Sequence, residues 1–247
     1  MFEFQASLIF PAHAVPPAGP LPARAEVLSL ETRDGYKLAG VHIPPDRAAR
    51  GKPVILGFGG NGWNGQDVAE YLHRVYPDHH VVAFHYRGYA PSTGSPSAEA
   101  LIGDAPLVFD LVVEKLKRKR VIGVGFSIGS GVAARLSAQR KLAGLILVTP
   151  FDSLKAVAQA MVPWLPIGSF FGHEIDAAEA LEHNAVPVAI IAAERDEIVP
   201  TERTDALRKR VKRLVFDRTI ASAGHNDIYA RSDFQAAMDD ALACIET

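Results

Sequence analysis

Six short apolar runs set the strongest limit on what this chain can fold into: Val54 to Phe58, Val81 to Phe84, Arg120 to Val124, Leu145 to Val148, Val186 to Ala192 and Leu214 to Ile220. None reads as an alternation of apolar and polar residues, so each suits a strand buried on both faces, as in a parallel sheet covered by helices. Candidate crossover helices lie at 66–76, 98–117, 130–140, 201–210 and 232–245. Ahead of the first run, Glu26 to Glu31 and Tyr36 to Ile43 alternate like half-exposed strands around Arg33-Asp34-Gly35. Asp-Gly between such runs signals a hairpin. The expected architecture is one α/β domain over residues 1–247, with an N-terminal antiparallel hairpin, a mostly parallel sheet of eight strands, and helices on both faces.

Two stretches fall outside this rhythm. Residues 11–24 hold five of the 17 prolines, so residues 1–25 are expected to be an extended surface segment. Between residues 151 and 185, Pro163, Pro166 and Gly168 interrupt a run containing Met161, Trp164, Phe170 and Phe171. About 35 residues make a short cap-like insertion of a helix or two, since independent domains start near 50 residues.

Composition excludes several function classes. A formal charge of −2 gives no nucleic-acid footprint. The basic runs Lys115 to Arg120 and Arg208 to Arg213 stand at expected helix ends, where cations complement the dipole. The single cysteine, Cys244, excludes an intramolecular disulfide and fits a reducing compartment. With no signal-peptide pattern and no apolar window of about 20 residues, no transmembrane segment and a cytoplasmic location are expected. His79-His80 lacks acidic or cysteine companions at ligand spacing, no phosphate loop is present, and Gly123-Val-Gly125 has Ile128 where a dinucleotide fingerprint needs glycine. No metal and no cofactor are expected, and the sequence says nothing of oligomeric state.

The chemistry concentrates where one strand meets one helix. Val121-Ile-Gly-Val-Gly125-Phe-Ser127-Ile-Gly129 drives a strand into Gly-x-Ser-x-Gly and then into the small residues Gly131 to Ala138. A serine on so tight a turn is exposed and strained, and glycines two residues either side admit neighbouring backbone. Its hydroxyl is a poor nucleophile at neutral pH, so Ser127 needs a base, and that base needs an acid to orient it. The run Val186 to Ala193 leaves into a loop holding Glu194, Asp196 and Glu197, and the last strand leaves into Gly224-His225-Asn226. Parallel strands open both loops at the same sheet edge as Ser127. Asp152 and Glu194 are the rival acids.

Taken together, Gly59-Gly-Asn-Gly62, Tyr86-Arg-Gly-Tyr89 with Ser92 to Ser97, Gly125 to Gly129, Thr149-Pro-Phe-Asp-Ser153, Asp196-Glu-Ile-Val-Pro200 and Gly224-His-Asn-Asp227 resemble the α/β-hydrolase superfamily of serine hydrolases over nearly the whole chain. The pattern is nearest to its small, nearly lidless members, which include protein-depalmitoylating enzymes. The order Ser127, Asp196, His225 is the order in such hydrolases. The resemblance implies an α/β-hydrolase fold in which Ser127 is the nucleophile, Asp196 the acid and His225 the base. The backbone amides of Ile128 and Asn61 would form the oxyanion hole. The implied activity is cleavage of a small-molecule ester or an acylated substrate, esters or thioesters, through an acyl-enzyme. A catalytically silent binding protein and a serine peptidase of the same fold are the alternatives. The chain departs from the pattern at Gly59, where relatives commonly carry histidine, and at His85, where aspartate is common.

Plainer roles compete at several positions. Asn61 also suits a left-handed turn, Arg87 a loop organiser, and Asp227 a cap on the final segment. Trp63, Met161 and Trp164, with Phe170 and Phe171, are candidates for a hydrophobic acyl site or for ordinary packing.

Overall fold

In a computed structural model, which describes residues 2–47, 49–161 and 171–247, one eight-stranded sheet runs through the molecule. Its strands are β1 (Glu26–Glu31), β2 (Lys37–Ile43), β3 (Val54–Phe58), β4 (Val81–Phe84), β5 (Val121–Phe126), β6 (Gly144–Val148), β7 (Val188–Ala193) and β8 (Leu214–Ile220). They lie side by side in the order β1-β2-β4-β3-β5-β6-β7-β8. The β1–β2 hairpin is antiparallel, with Glu26 opposite His42 and Glu31 opposite Lys37, and β2 is antiparallel to β4. Every pair from β4 onward is parallel. The helices are α1 (Phe2–Ile9), α2 (Gly65–Val75), α3 (Ala98–Leu116), α4 (Ile128–Gln139), α5 (Leu154–Met161), α6 (Ala177–Glu182), α7 (Thr201–Arg208) and α8 (Ser232–Glu246).

Successive strand residues point to opposite faces, so the sheet feeds two cores. Leu56, Val82, Leu145 and Leu147 pack with residues of α3, α4 and α6 such as Leu101, Val132 and Leu181. Ile55, Val81, Ile122 and Ile146 pack with Val68 and Leu72 of α2 and Phe234 and Met238 of α8. Residues of β3, β5, β6 and β7 are buried throughout, which is why those strands carry no alternation. Strand β8 differs from the expectation of burial on both faces: it is the sheet edge, and only Ile220 of its seven residues is fully buried. Side-chain caps begin several helices, Asn64 accepting from the Asp67 amide at α2 and Ser97 from the Ala100 amide at α3.

The N-terminal segment is not extended throughout, as the prolines suggested. Residues 2–9 form α1, whose Ala6 and Ile9 pack on the core beside Phe10, which is 2% exposed. An eight-residue helix is marginal alone, so this packing sustains it. In the 151–185 stretch, Ser153 and Asp176 bridge the ends, and the Asp176 side chain caps α6. Helix α6 lies against α4, where Arg135 and Glu179 pair at 2.7 Å, so it belongs to a helical layer over one sheet face. Trp164 and Phe170 lie outside the described residues. No helix among the described residues is long and apolar enough to cross a membrane.

Candidate active site

Strain marks the carboxyl edge of the parallel strands. Ser127, between β5 and α4, has φ 51° and ψ −118°. Thr149 after β6 and Ser222 after β8 also have positive φ, at 46° and 59°. Such conformations typically cost about 1–3 kcal/mol each and persist where the surroundings over-determine them. At Ser127 the surroundings do so: its amide donates to the Val148 carbonyl at 2.9 Å, and its carbonyl accepts from the Ser130 hydroxyl at 2.6 Å. The flanking glycines are required by backbone proximity. A Cβ on Gly125 would lie 2.3 Å from the Gly129 carbonyl oxygen, and one on Gly129 would lie 2.2 Å from that of Phe58.

The same edge brings three predicted side chains into line. His225 Nε2 lies 3.0 Å from Ser127 Oγ, and His225 Nδ1 lies 2.9 and 2.8 Å from the two carboxylate oxygens of Asp196. The His225 and Asp196 side chains are only 7% and 4% exposed. Asp196 Oδ1 also accepts the amides of Ile198 at 2.9 Å and Val199 at 2.7 Å, which orients the carboxylate. The loops carrying Asp196 and His225 are tied together: Arg195 N–H donates to the Ala223 carbonyl, Ser222 N–H to the Glu194 carboxylate, and His225 N–H to Glu197 Oε2 at 3.0 Å. Glu197 was not singled out by sequence reasoning. A carboxylate next to another in the same loop carries no local pattern that says it will accept a distant amide.

The rival residues are engaged elsewhere. Asp152 sits 3.3 Å from Arg203, with burial pushing its carboxyl above the usual range, and Glu194 accepts the Ser222 amide. Asp227 does not cap α8; it accepts the Gly224 amide at 2.8 Å and closes the histidine turn. Arg87 bonds both Asp34 and Asp104 and lies over the Tyr36 ring, which makes it a loop organiser.

Ile128 opens α4, so its amide is one of the four a helix leaves without an internal partner. Asn61 lies on the loop after β3, where a Cβ on the preceding Gly60 would come within 3.7 Å of Ser127 Cβ. Its side chain donates to the Ile9 carbonyl at 3.1 Å, tying the loop to the end of α1. Trp63 is partly buried and packs among Phe126, Tyr71 and Tyr229, with ring centroids 5.0 to 5.6 Å away. Met161 is 55% exposed at the end of α5, and Trp164 is outside the described residues.

Both departures at Gly59 and His85 have a physical reason. A Cβ on Gly59 would meet Val68 Cγ2 at 2.7 Å and Trp63 Cβ at 3.3 Å, so the space of a larger residue is already filled. His85 is buried, burial lowers its pKa, and its Nδ1 accepts the Gly65 amide at the start of α2. Among the described residues no group of three or more histidine, cysteine, aspartate or glutamate side chains is placed to hold a metal ion.

The model of the alpha/beta hydrolase fold family matches residues 54–180 of this chain. The chain belongs to the alpha/beta hydrolase fold family. An uncharacterized protein of Mycobacterium tuberculosis is 32% identical over 86% of this chain and 78% of its own length. Lysophosphatidylserine lipase ABHD12 of Danio rerio is 33% identical over 60% of this chain and 44% of its own. Among solved structures, the Pyrococcus furiosus esterase Pf2001 superposes with a TM-score of 0.73 at 18% identity, covering 95% of this chain and 98% of that one. That last likeness is one of fold.

Proposed function

We propose that this alpha/beta hydrolase is a serine hydrolase that cleaves carboxylic ester or thioester bonds through an acyl-enzyme. The observation that carries the reading is the unbroken line from Ser127 Oγ through the His225 imidazole to the Asp196 carboxylate. Ser127 Oγ attacks the substrate carbonyl carbon while its proton passes to His225 Nε2, and Asp196 holds the imidazole in the tautomer with hydrogen on Nδ1. The carbonyl oxygen becomes an oxyanion that accepts from the amides of Ile128 and Asn61. Each such donor is typically worth about 3 kcal/mol in the transition state. Collapse of the tetrahedral intermediate breaks the bond to the leaving alcohol or thiol, which takes the proton from His225. Water then attacks the acyl-enzyme, giving its proton to the same nitrogen, and release of the acid restores Ser127.

Ester chemistry is supported by similarity to a protein named as a lysophosphatidylserine lipase and by the shared fold of an esterase. A panel of p-nitrophenyl esters from acetate upward, with acyl-cysteine thioesters, tests the reading. Hydrolysis well above the Ser127→Ala background is expected. Rates equal to that background would favour a catalytically silent binding protein.

A further inference from the structure

The motif Tyr86-Arg-Gly-Tyr89 folds as a tight turn, with the Tyr89 amide donating to the Tyr86 carbonyl at 2.9 Å and Gly88 at φ 81°. Glycine at the third position is what such a turn requires. The turn sets the two phenol rings edge to face, 5.8 Å apart, and sends both hydroxyls to one place. Tyr86 donates to the Gly59 carbonyl at 2.8 Å, and Tyr89 donates to the Asn61 carbonyl at 3.0 Å. The carbonyl between them, on Gly60, accepts the Trp63 amide at 3.2 Å. Three consecutive carbonyls of this loop are thus turned onto partners. In a trans peptide unit the N–H points opposite the C=O, so the Gly60 and Asn61 amides are directed away from those partners. Gly60 is the residue whose Cβ position is 3.7 Å from Ser127 Cβ. Burial keeps both phenols un-ionised, so each remains a donor throughout the neutral and mildly alkaline range.

We propose that Tyr86 and Tyr89 are positioning residues that clamp the peptide units on either side of the Asn61 amide and hold that amide where the oxyanion forms. This rests on the serine-hydrolase reading above. The clamp acts only on the charge that develops at the carbonyl oxygen, so its loss should spare ground-state binding.

Tyr86→Phe and Tyr89→Phe remove one hydroxyl each and keep the rings. Ester turnover is measured with p-nitrophenyl butyrate on sites counted by fluorophosphonate titration, which removes unfolded protein from the comparison. A trifluoromethyl ketone of matching length reports the oxyanion directly: Ser127 Oγ bonds to its carbonyl carbon, the hydroxyl proton moves to His225, and the carbonyl oxygen becomes the anion. Each variant is expected to lose about ten-fold in kcat, well inside the hundred-fold that a 1 Å misplacement can cost. KM should stay within about two-fold while the ketone inhibition constant rises in step with the loss of kcat. Unchanged kcat and ketone affinity in both variants would overturn the clamp and leave the serine mechanism standing. A loss shared equally by KM and kcat would also overturn it, by assigning the hydroxyls a purely structural role. A wild-type protein that neither turns over esters nor takes up fluorophosphonate would remove the underlying reading and the clamp with it.

Discussion

Replacing Gly129 with alanine tests whether the elbow depends on backbone meeting backbone. The new Cβ would stand 2.2 Å from the Phe58 carbonyl oxygen and 2.5 Å from that of Gly59. A carbon and a carbonyl oxygen usually rest near 3.3 Å, so α4 and the loop after β3 must part by about 1 Å. Neither is the end of a flexible side chain. Overpacking of this kind costs about 1–3 kcal/mol, which in a chain of this length lowers Tm by about 2–4 °C per kcal/mol. On the proposed serine mechanism the same displacement moves Ser127 away from the loop of Gly60 and Asn61, and a 1 Å error at a reacting centre costs up to about a hundred-fold in rate. Gly103→Ala is the control. Gly103 lies inside α3 with nothing within 4 Å of its Cβ position, so alanine there should add about 0.5–1 kcal/mol of stability. Differential scanning fluorimetry and p-nitrophenyl butyrate hydrolysis on both variants read the contrast. A Gly129→Ala protein with wild-type Tm and wild-type rate would refute the packing argument.

Asp196→Asn should leave folding intact yet reduce ester turnover by about 10⁴-fold, because the imidazole loses the partner that selects its tautomer; steady-state kinetics checks this against the Ser127→Ala background. Arg87→Ala should cost about 3–5 kcal/mol in urea unfolding near pH 7.5, because Asp104, with a side chain only 9% exposed, loses its bidentate partner. Burial raises the Asp104 pKa above its unfolded value, so the variant's deficit is smallest near pH 4 and grows as pH rises through the raised folded value. His80 has the opposite sign: burial first, then Arg118 and His42, lower its pKa to about 4. The unfolded chain takes up that proton first, so stability falls as pH drops from about 6.5 towards 4, and His80→Asn should flatten the decline in thermal melts across that range.

Much of this architecture was legible because the central strands are buried on both faces and so carry unbroken apolar runs. Val54 to Phe58 and Val81 to Phe84 match β3 and β4 residue for residue. The edge strand β8 was legible in position and not in burial, because nothing local tells a chain which strand will lack a neighbour. Helix α1 was hidden for a related reason: Ala6, Ile9 and the adjacent Phe10 find their partners across the fold, and the prolines that follow dominate the local signal. At the candidate site, strand-to-loop transitions led to Ser127, His225 and a loop of three carboxylates, since parallel strands deliver their loops to one edge; the choice of Asp196 among the carboxylates came from the resemblance to α/β-hydrolases. The roles of Glu197, Tyr86 and Tyr89 could not. Each acts by a hydrogen bond to backbone 27 or 28 residues away, which leaves no periodicity to read.

The proposed function stands or falls on Ser127 being a nucleophile activated by His225. Incubation of the wild type, Ser127→Ala and His225→Ala with a fluorophosphonate, followed by peptide mass spectrometry, tests it most directly. One covalent adduct is expected, on Ser127, absent from Ser127→Ala and formed far more slowly in His225→Ala. Labelling that persists in Ser127→Ala, or proceeds at an undiminished rate without His225, would contradict it.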